Sequence, residues 1–477
     1  MTEYIPVIGL EVHAELATES KIFCSCSTAF GGEENTQVCP GCLGMPGILP
    51  LLNQKAVEYC IKAGLALHCT INPVSRQDRK HYFYPDLPKG FQTSQLELPV
   101  CGNGWLDIEV DGKTKRIGIN RIHIEDDAGK LIHTALGTRM DLNRGGAGLI
   151  EIVTEPDLAS PEEVYLFMDA LRQVLLFAGV SSCKMEEGAL RCDVNVSIHQ
   201  EGEPFGVRTE MKNLNSLSAA RAAAAYEIKR QQRVLEEGGI LVQATLRWDD
   251  EKGENYVMRV KEHADEYYYF PEPDLMPIVI TEEQVKAIQD ALPELPKARR
   301  ARYMDVYGLS EYDAGILTVS RAISDLFDQA VNSGAPAKTC ANFIMGDISR
   351  LMNEGGLEGD SLPFGGVELA ELANLVADGV VSSSAGSKIL ELMVEPRYAG
   401  ISPKAIAEEQ NLGQVSDEDT LIAMCREVIE NNPKIVADYQ GGKKQAIYAL
   451  MGQVMKASQG KANPGMVNQL LQDMMKQ

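Results

Sequence analysis

Four cysteines arranged in two close pairs form the sharpest local motif of the chain. Cys24 and Cys26 are followed, after twelve residues, by Cys39 and Cys42. Four thiolates in two pairs suit tetrahedral zinc, so the motif predicts a zinc site; four buried free cysteines are the alternative. Because a closed four-cysteine site leaves no coordination position open, a zinc ion here would be structural and not catalytic.

A second group of reactive side chains recurs with a period of two along strand-like segments. In residues 10–16, Glu11, His13 and Glu15 alternate with apolar residues and therefore share one strand face. Further polar sets with this alternation are Arg121, His123 and Glu125; Glu151 and Glu155; and Arg191, Asp193, Asn195 and Ser197. Carboxylates bind hard cations and arginine binds phosphates, so the pattern predicts a sheet face suited to Mg²⁺ and a nucleotide. A sheet with a merely solvated outer face would show the same pattern.

Residues 433–461 are locally basic in an otherwise acidic chain. The segment contains one acidic residue, Asp438. Its lysines are Lys434, Lys443, Lys444, Lys456 and Lys461. Lysines beside flexible glycines can contact a phosphate backbone, but a solvated helical face has the same composition.

Two common catalytic motifs are absent from the sequence. It contains no G-x-x-x-x-G-K-[ST] phosphate loop and no G-x-S-x-G nucleophile motif. Residues 382–388 lack the glycine spacing of a phosphate loop and are interpreted as the start of a helix. The chain therefore shows no standard nucleotide loop and no amidase or serine-hydrolase motif.

Composition limits the function classes. At about 150 residues per domain, 477 residues predict about three domains. The net charge of −23 argues against coating nucleic acid through bulk electrostatics, and eleven cysteines indicate reduced thiols or metal ligands. Glu11 interrupts the first apolar stretch, and no run approaches about 18 uncharged apolar residues. We therefore expect no signal peptide, no membrane partner and a cytoplasmic location.

The order of local patterns predicts an α+β fold. Residues 107–119 predict a hairpin with its turn at Asp111-Gly112. Ala219 to Glu237 predict a helix that is capped near Asn215 or Ser216. The capping box Thr281–Gln284 begins a region that is helical almost throughout.

A loop is predicted within the helical region at residues 353–366, and a second break in the helical pattern is predicted near residues 400–417. The chain is therefore divided into three parts. These are a mixed body (1–292), a helical middle (293–405) and a small helical tail (406–477).

Seven segments resemble one family, the B subunits of the glutamyl-/aspartyl-tRNA amidotransferases. They are VIGLEVHAEL (7–16), YFYPDLPKGFQTSQ (82–95), RIHIEDDAGK (121–130), DLNRGGAGLIEIVTEPD (141–157), KMEEGALRCDVNVS (184–197), YYYFPEPDL (267–275) and GQVMKASQGKANPGMVNQLL (452–471). They occur in all three parts, in the order of the family. An archaeal relative in the same superfamily carries a large insertion before its tail. This chain has no room for one, so the resemblance favours the three-subunit enzyme.

The resemblance implies a fold and a reaction. The body would be an antiparallel-sheet cradle domain similar to glutamine synthetase and guanidino kinases, followed by an all-helical domain and a tail domain that binds tRNA. ATP would phosphorylate the side-chain carboxylate of Glu-tRNA(Gln), Asp-tRNA(Asn) or both. Ammonia from the glutaminase (amidase) A subunit would then displace the phosphate, in a complex that also contains a small C subunit.

The resemblance also assigns roles by position. The catalytic Mg²⁺ ligands would be Glu11, His13, Glu125 and Glu151. The ammonia channel would be lined by Lys80, Tyr82, Lys89 and Asp126. Phosphate and substrate would contact Lys184, Arg191, Asp193 and Asn195. The tRNA would contact Lys443, Lys444, Lys456 and Lys461.

The chain departs from the family at three places. Asp126 stands where the family often has a longer acid, and Tyr268 stands where arginine is common. Ala244–Leu246 belong to a stretch that usually carries glutamate and arginine. These departures weaken the case for direct contacts there. A non-catalytic, zinc-stabilised tRNA-binding protein is the alternative interpretation of the whole chain.

Overall fold

The computed structural model of the chain describes residues 4–475, apart from 261–266, 356, 358, 415–417 and 459–460. The chain divides into two compact units, Met1–Leu295 and Pro296–Gln477. Parts of three segments named above lie outside the described residues. These are 356 and 358 in the predicted loop, 415–417 in the predicted second break, and 459–460 in the segment 452–471.

The first unit contains strands and helices in a mixed order. Those of its described residues are β1 (Ile5–Glu15), α1 (Gln54–Ala66), β2 (Val74–Ser75), β3 (Asp78–His81), β4 (Phe91–Ser94), β5 (Gly104–Val110), β6 (Lys113–Asp126), β7 (Lys130–Thr134), β8 (Gly137–Asp141), β9 (Gly148–Thr154), α2 (Pro161–Ala178), β10 (Leu190–His199), β11 (Thr209–Leu214), α3 (Leu217–Glu236), β12 (Ala244–Asp249), β13 (Glu254–Val260), β14 (Tyr268–Pro271), β15 (Ile278–Val279) and α4 (Glu282–Asp290).

Eight of these strands form one large sheet, in the order β13-β12-β11-β10-β1-β9-β6-β5. Neighbouring strands are antiparallel, except that β11 and β12 are parallel. Three smaller sheets, β14-β3-β4, β15-β2 and β7-β8, complete the strand pairing of the described residues. The unit is therefore built around a sheet that is dominated by antiparallel pairing.

One face of the large sheet is apolar and forms the core of the unit. Leu10 and Val12 of β1 are buried in the same cluster as Phe167 and Leu171 of α2. Full burial of a side chain of this size contributes about 1.5–3 kcal/mol relative to exposure. Because side chains alternate between the two faces of a strand, the polar residues of β1 are directed to the opposite face.

Three local predictions in the first unit are confirmed. Asp111 and Gly112 have φ values of 50° and 73°, and they join β5 to β6 in a two-residue hairpin turn. Helix α3 begins after Ser216, whose side chain accepts a hydrogen bond from the backbone N–H of Ala219. The capping box at Thr281 precedes α4.

The second unit is helical in its described residues. Its elements are α5 (Pro296–Tyr307), α6 (Glu311–Leu317), α7 (Arg321–Asn332), α8 (Ala337–Phe343), a π-helical turn (Ile344–Ile348), α9 (Ser349–Gly355), a 3₁₀ turn (Gly359–Ser361), α10 (Gly366–Ala377), α11 (Ser383–Met393), a 3₁₀ turn (Pro396–Tyr398), α12 (Pro403–Glu409), α13 (Glu418–Asn431), α14 (Pro433–Gln440), α15 (Ala446–Ala457) and α16 (Pro464–Met474).

Two predictions in this unit have different outcomes. The predicted helix start at 382–388 is confirmed, because the Ser382 side chain accepts a hydrogen bond from Ala385 N–H at the beginning of α11. The break predicted near residues 400–417 is interrupted by a helix, because residues 403–409 form α12. Ser402 caps this helix and Pro403 occupies its first turn, a signal for a helix start that outweighs the neighbouring glycine.

The buried apolar side chains of the second unit form two separate clusters. One lies within residues 303–407 and the other within residues 421–475. Together with the large sheet, these helices confirm a mixed α+β fold dominated by antiparallel strands. The division at 292/293 and 405/406 stays a prediction. Within the described residues, no helix combines the length and the apolar character needed to cross a membrane.

Candidate active site

The register of the central strands places polar side chains in one row across the large sheet. His13 of β1 lies opposite Arg191 of β10 on one side and Glu151 of β9 on the other. Glu151 in turn lies opposite His123 of β6. Side chains that face each other across adjacent strands lie on the same side of a sheet. The polar sets found along separate segments therefore form one continuous surface.

The centre of this surface is an acidic cluster, the first cluster, formed by His13, Glu125 and Glu151. Its ligand atoms lie within 4.8 Å of one another. His13 Nε2 is 3.3 Å from Glu151 Oε2 and 3.9 Å from Glu125 Oε2. His123 Nε2 lies 3.2 Å from Glu125 Oε1. Two carboxylates and an imidazole at this spacing can bind one divalent cation.

Burial couples the charges of the first cluster. Burial alone would lower the pKa of His123, but hydrogen bonds to Glu125 and Glu151 outweigh it and raise the pKa to about 9. Burial would also lower the pKa of His13, but its hydrogen bond to Glu151 and the charges of Glu151 and Glu125 together outweigh burial and raise that pKa. Burial would raise the pKa of Glu151, but the two imidazoles hold it well below its usual range. The imidazoles and carboxylates of the first cluster thus stabilise one another's charged forms.

Strand β4 holds the deepest carboxylate of the first cluster. Gln92 Nε2 donates to Glu125 Oε2 at 2.9 Å, and Ser94 Oγ donates to Glu125 Oε1 at 2.6 Å. Glu125 is 2% exposed. Because both carboxylate oxygens accept hydrogen bonds, the orientation of this side chain is set before any ligand binds.

A second cluster lies on the same face and consists of Glu11, Asp193 and Glu210. One carboxylate oxygen of each lies within 4.8 Å of the others. Asn195 Nδ2 donates to Glu11 Oε1 at 3.1 Å. Lys212 Nζ contacts Asp193 and lies 3.0 Å from Glu210 Oε1. Burial, followed by the charges of nearby carboxylates, raises the pKa of Glu11.

Glu11 is one of the four cation ligands that the resemblance implies. The structure groups its carboxylate with those of Asp193 and Glu210 and not with His13, Glu125 and Glu151. Its position two residues from His13 on an extended strand explains the separation, since same-face neighbours lie about 6–7 Å apart along a strand.

Lys80 and Tyr82, two predicted channel residues, lie close together. Lys80 Nζ is 4.8 Å from the centroid of the Tyr267 ring. That ring packs against Tyr82, with 5.4 Å between the ring centroids. Burial would lower the pKa of Lys80, but the combined charges of nearby groups, with Glu125 first among them, outweigh burial and raise the pKa. Lys80 is therefore coupled electrostatically to the first cluster.

Lys89 and Asp126, the other two predicted channel residues, form a buried ion pair. Lys89 Nζ contacts an Asp126 carboxylate oxygen and donates to Thr93 Oγ1 at 3.2 Å. Thr93 N–H donates to Asp126 Oδ1 at 2.6 Å. A cavity of about 270 Å³ opens beside this pair. Lys80 and Tyr82 are not among its described lining residues, so the structure divides the predicted channel set in two.

A larger cavity, of about 710 Å³, borders the ends of β1 and β10. Its charged lining residues include Glu15, Lys130, Arg144 and Arg191. An Nη of Arg191 donates to Asp127 Oδ2 at 2.5 Å, whereas its buried Nε has no partner among the described residues. Burial, helped by the charge of Asp127, raises the pKa of Glu15 to about 7. The volume falls in the range of small-ligand pockets.

The four predicted phosphate and substrate contacts are dispersed. Arg191 lines the larger cavity, whereas Asp193 and Asn195 belong to the second cluster and its surroundings. Lys184 lies before β10, with its Nζ 3.5 Å from Glu187 Oε1. Among the described lining residues of the larger cavity, Lys184 is absent.

The four cysteines lie together, as their spacing predicts. One sulfur atom from each of Cys24, Cys26, Cys39 and Cys42 lies within 4.8 Å of the others. Cys39 N–H donates to Cys42 Sγ at 3.1 Å. A hydrogen bond from Cys24 outweighs burial and lowers the pKa of Cys42 to about 4. This four-cysteine cluster could hold a metal ion and is compatible with structural zinc.

The predicted tRNA-binding lysines lie at the two ends of α15. Lys443 and Lys444 are exposed just before this twelve-residue helix, and Lys443 Nζ lies 3.0 Å from Asp438 Oδ1. Lys456 is exposed in its last turn, and Lys461 is half-buried beyond it. A helix of this length spans about 18 Å. These four lysines therefore form two small groups, one at each end of α15.

Sequence reasoning assigned no individual role to His123, Glu210 or Lys212, which the structure places in or against the two clusters. His123 shares a predicted face with Glu125, but its contact with Glu151 requires the pairing of β6 with β9. Glu210 and Lys212 were missed, although residues 209–212 alternate between apolar-facing and polar-facing positions. The period-two rule that identified the other strands would have found them.

Two family models match the chain, and both agree with the site described above. Residues 6–286 match the GatB/GatE catalytic domain, and residues 325–475 match the GatB domain. The first match includes both acidic clusters and the four cysteines, and the second includes the lysines around α15. The sheet-based unit is thus a catalytic domain of this class.

Relatives of known name resemble the chain along almost its whole length. It is 53% identical over 473 residues, 99% of each chain, to the aspartyl/glutamyl-tRNA(Asn/Gln) amidotransferase B subunit of Caldanaerobacter subterraneus subsp. tengcongensis. It is 52% identical to the protein of the same name from Caldicellulosiruptor saccharolyticus and 50% identical to that of Moorella thermoacetica, again over 99% of each chain. The chain belongs to the family of aspartyl/glutamyl-tRNA(Asn/Gln) amidotransferase B subunits.

Proposed function

We propose that this chain activates the side-chain carboxylate of a mischarged tRNA by ATP-dependent phosphorylation. Glu-tRNA(Gln), Asp-tRNA(Asn) or both would be the substrate. A carboxylate oxygen forms a bond to the γ-phosphorus of ATP while the bond from that phosphorus to ADP breaks. Ammonia then bonds to the activated carbonyl carbon, phosphate leaves and a proton is released, which yields the amide.

The presence of two acidic clusters on one sheet face is the observation that carries this proposal. His13, Glu125 and Glu151 fit a divalent cation because both carboxylates converge with an imidazole within 4.8 Å. Bound Mg²⁺ would neutralise negative charge during phosphoryl transfer. Glu125 is oriented by β4, so the site is organised on rigid strands and not on loops. The second cluster is a further candidate cation ligand set.

Two cations of the chain are suited to the anionic substrates. Arg191 lies at the edge of the larger cavity, where one Nη donates to Asp127 Oδ2. Lys80 is held in its charged form by Glu125. A guanidinium binds phosphate or carboxylate oxygens in a fixed geometry, whereas an ammonium acts as a point charge. We assign phosphate binding to Arg191 and charge stabilisation at the first cluster to Lys80.

The smaller cavity is proposed as the passage for ammonia. Lys89 and Asp126 lie in its wall as a buried ion pair, and Phe23 and Phe91 also line it. Aromatic faces together with a buried carboxylate suit ammonia or ammonium. The ammonia would come from the glutaminase A subunit, since the sequence has no amidase motif, and a small C subunit would complete the complex. Lys80 and Tyr82 are not among the described lining residues of this cavity and would instead act next to the first cluster.

The remaining parts have supporting roles in the proposal. The first unit would be a cradle similar to glutamine synthetase and guanidino kinases, with its polar face as the reaction surface. The four-cysteine cluster would bind structural zinc, because it offers four sulfur ligands and would leave no coordination position of the metal open. The lysines at the ends of α15 would contact tRNA phosphates in a tail domain.

The proposal is tested with the purified three-subunit complex and both mischarged tRNAs. The expected result is ATP hydrolysis that depends on the mischarged tRNA, followed by amide formation when glutamine is added. tRNA binding without ATP hydrolysis would instead identify a non-catalytic, zinc-stabilised tRNA-binding protein. The relative rates with Glu-tRNA(Gln) and Asp-tRNA(Asn) identify the substrate.

A further inference from the structure

Lys21 is a buried cation beside the four-cysteine cluster. Its side chain is 1% exposed. Its Nζ lies 3.7 Å from Cys42 Sγ and donates to the backbone oxygen of Leu142 at 3.2 Å. In the described part of the chain, it forms no ion pair with a carboxylate. The charge of this ammonium is therefore not balanced by an acidic side chain.

A buried ammonium is costly unless an opposite charge accompanies it. A carbonyl oxygen satisfies a hydrogen bond but supplies no net negative charge. Four thiolates around one divalent zinc ion, in contrast, carry a net double negative charge. The metal-loaded cluster thus carries the negative charge that the Lys21 ammonium needs as its partner, and Lys21 directly contacts Cys42 of that cluster.

We propose that Lys21 is the counter-cation of the metal-loaded four-cysteine cluster and positions it against the catalytic sheet. The inference rests on the proposed metal at the cysteines and not on the amidotransferase reaction. The same ammonium that faces Cys42 also holds Leu142, and Ile22 N–H donates to Gly146 O at 2.9 Å. Strand β9, which carries Glu151, begins two residues after Gly146. Lys21 therefore connects the cysteine loop to the segment that leads into the first cluster.

The test compares full-length Lys21→Met with the parental chain, each metal-free and loaded with Zn²⁺ or Co²⁺. Zinc affinity, measured by competition with a chelator, should fall about tenfold or more, as expected for a lost partner of a metal ligand. The Co²⁺ absorption should keep the signature of thiolate ligands, because the cysteines are unchanged. Without metal, the variant should lose less thermal stability than it does with zinc bound, because four thiolates around zinc place more negative charge beside residue 21 than the metal-free sulfur atoms do. Lys55→Met, at an exposed lysine, is the control and should show neither effect.

Lys21→Gln separates charge from hydrogen bonding. Glutamine keeps a hydrogen-bond donor for the Leu142 backbone oxygen but carries no charge. The zinc affinity of the Lys21→Gln variant should therefore fall as much as that of the Lys21→Met variant. If the methionine variant does not fold, zinc affinity is measured with the glutamine variant instead.

Three results would overturn the inference. Unchanged zinc affinity in both variants would show that the charge does not stabilise the metal site. Equal destabilisation with and without metal would make Lys21 a packing residue. If the parental chain bound neither Zn²⁺ nor Co²⁺ through these cysteines, the proposed metal would fail together with the inference, whereas the ATP-dependent reaction would be unaffected by that result.

Discussion

The imidazole of His13 and the carboxylate of Glu151 meet across two adjacent antiparallel strands, with 3.3 Å between Nε2 and Oε2. The His13 side chain is 23% exposed and that of Glu151 is 11% exposed, so the pair is accessible from the polar face. Behind it, His123 is 3% exposed and contacts the same carboxylate. This arrangement makes His13 and Glu151 the most informative targets for mutation.

His13→Ala or Glu151→Ala should abolish phosphorylation of the mischarged tRNA. Loss of a cation ligand removes several kcal/mol of charge stabilisation, so kcat should fall about a hundredfold or more. The measurement is ATP hydrolysis by the purified complex with mischarged tRNA. Binding of tRNA should be largely intact, because the lysines around α15 are unchanged.

Glu155→Gln is the matched control for these variants. The alternation predicts that Glu155 shares a face with Glu151, but Glu155 follows β9 and accepts a hydrogen bond from Asn120 at 2.8 Å. The control should keep near-normal activity. Circular dichroism must show that all three variants fold. Folded His13 and Glu151 variants with near-normal activity would mean that this polar face is only solvated.

Lys89→Met should impair the delivery of ammonia more than the phosphorylation step. The variant breaks the buried pair with Asp126 in the wall of the smaller cavity. Glutamine-dependent amide formation should fall, while a high concentration of ammonium salt should restore part of it. Lys115→Met, which breaks an ion pair with Glu163 far along the sheet, should affect neither reaction. Equal losses with both nitrogen donors would contradict a role of this pair in the passage.

Metal analysis should find about one zinc ion per chain, because the four sulfur atoms converge on one point. A Cys39→Ser/Cys42→Ser double variant should lose it. Any loss of activity should parallel the loss of thermal stability, since the proposed role is structural. Cys60→Ser/Cys69→Ser, at two cysteines outside the cluster, should retain the metal. Full zinc retention by the Cys39/Cys42 variant would disprove the assignment to these residues.

The isolated chain should neither hydrolyse glutamine nor use it as an amide donor. The reason is that its sequence contains no amidase motif. The release of glutamate from glutamine, followed with the chain alone and with the complete complex, is the measurement. Robust glutamine hydrolysis by the chain alone would refute the proposed division of work within the complex.

Replacing Lys443, Lys444, Lys456 and Lys461 by alanine should weaken tRNA binding without changing kcat. Each lost phosphate contact lowers the slope of log affinity against log salt by about one. Because the lysines form two groups at opposite ends of α15, the pairs Lys443/Lys444 and Lys456/Lys461 should be changed separately as well. Unchanged affinity and salt slope in all variants would mean that these lysines are only solvated.

Local signals in the sequence predicted local structure well. The hairpin turn at Asp111-Gly112 and the cap at Ser216 depend on a few adjacent residues, and both are confirmed. The cysteine spacing likewise predicted the four-sulfur cluster, since a short loop brings the two pairs together. The helix at residues 403–409 was not predicted, although Ser402 and Pro403 are a local signal for a helix start.

By itself, the sequence determined which residues face the polar side of each strand, because alternation along an extended chain is a local property. It did not determine which strands are neighbours. Only the sheet order placed β6, β9 and β1 side by side, so that Glu125 and Glu151 converge with His13 while Glu11 joins residues of β10 and β11. The same tertiary packing buried Lys21 against Cys42. Contacts between distant segments depend on strand register and packing, and neither property is encoded in the spacing of residues along one strand.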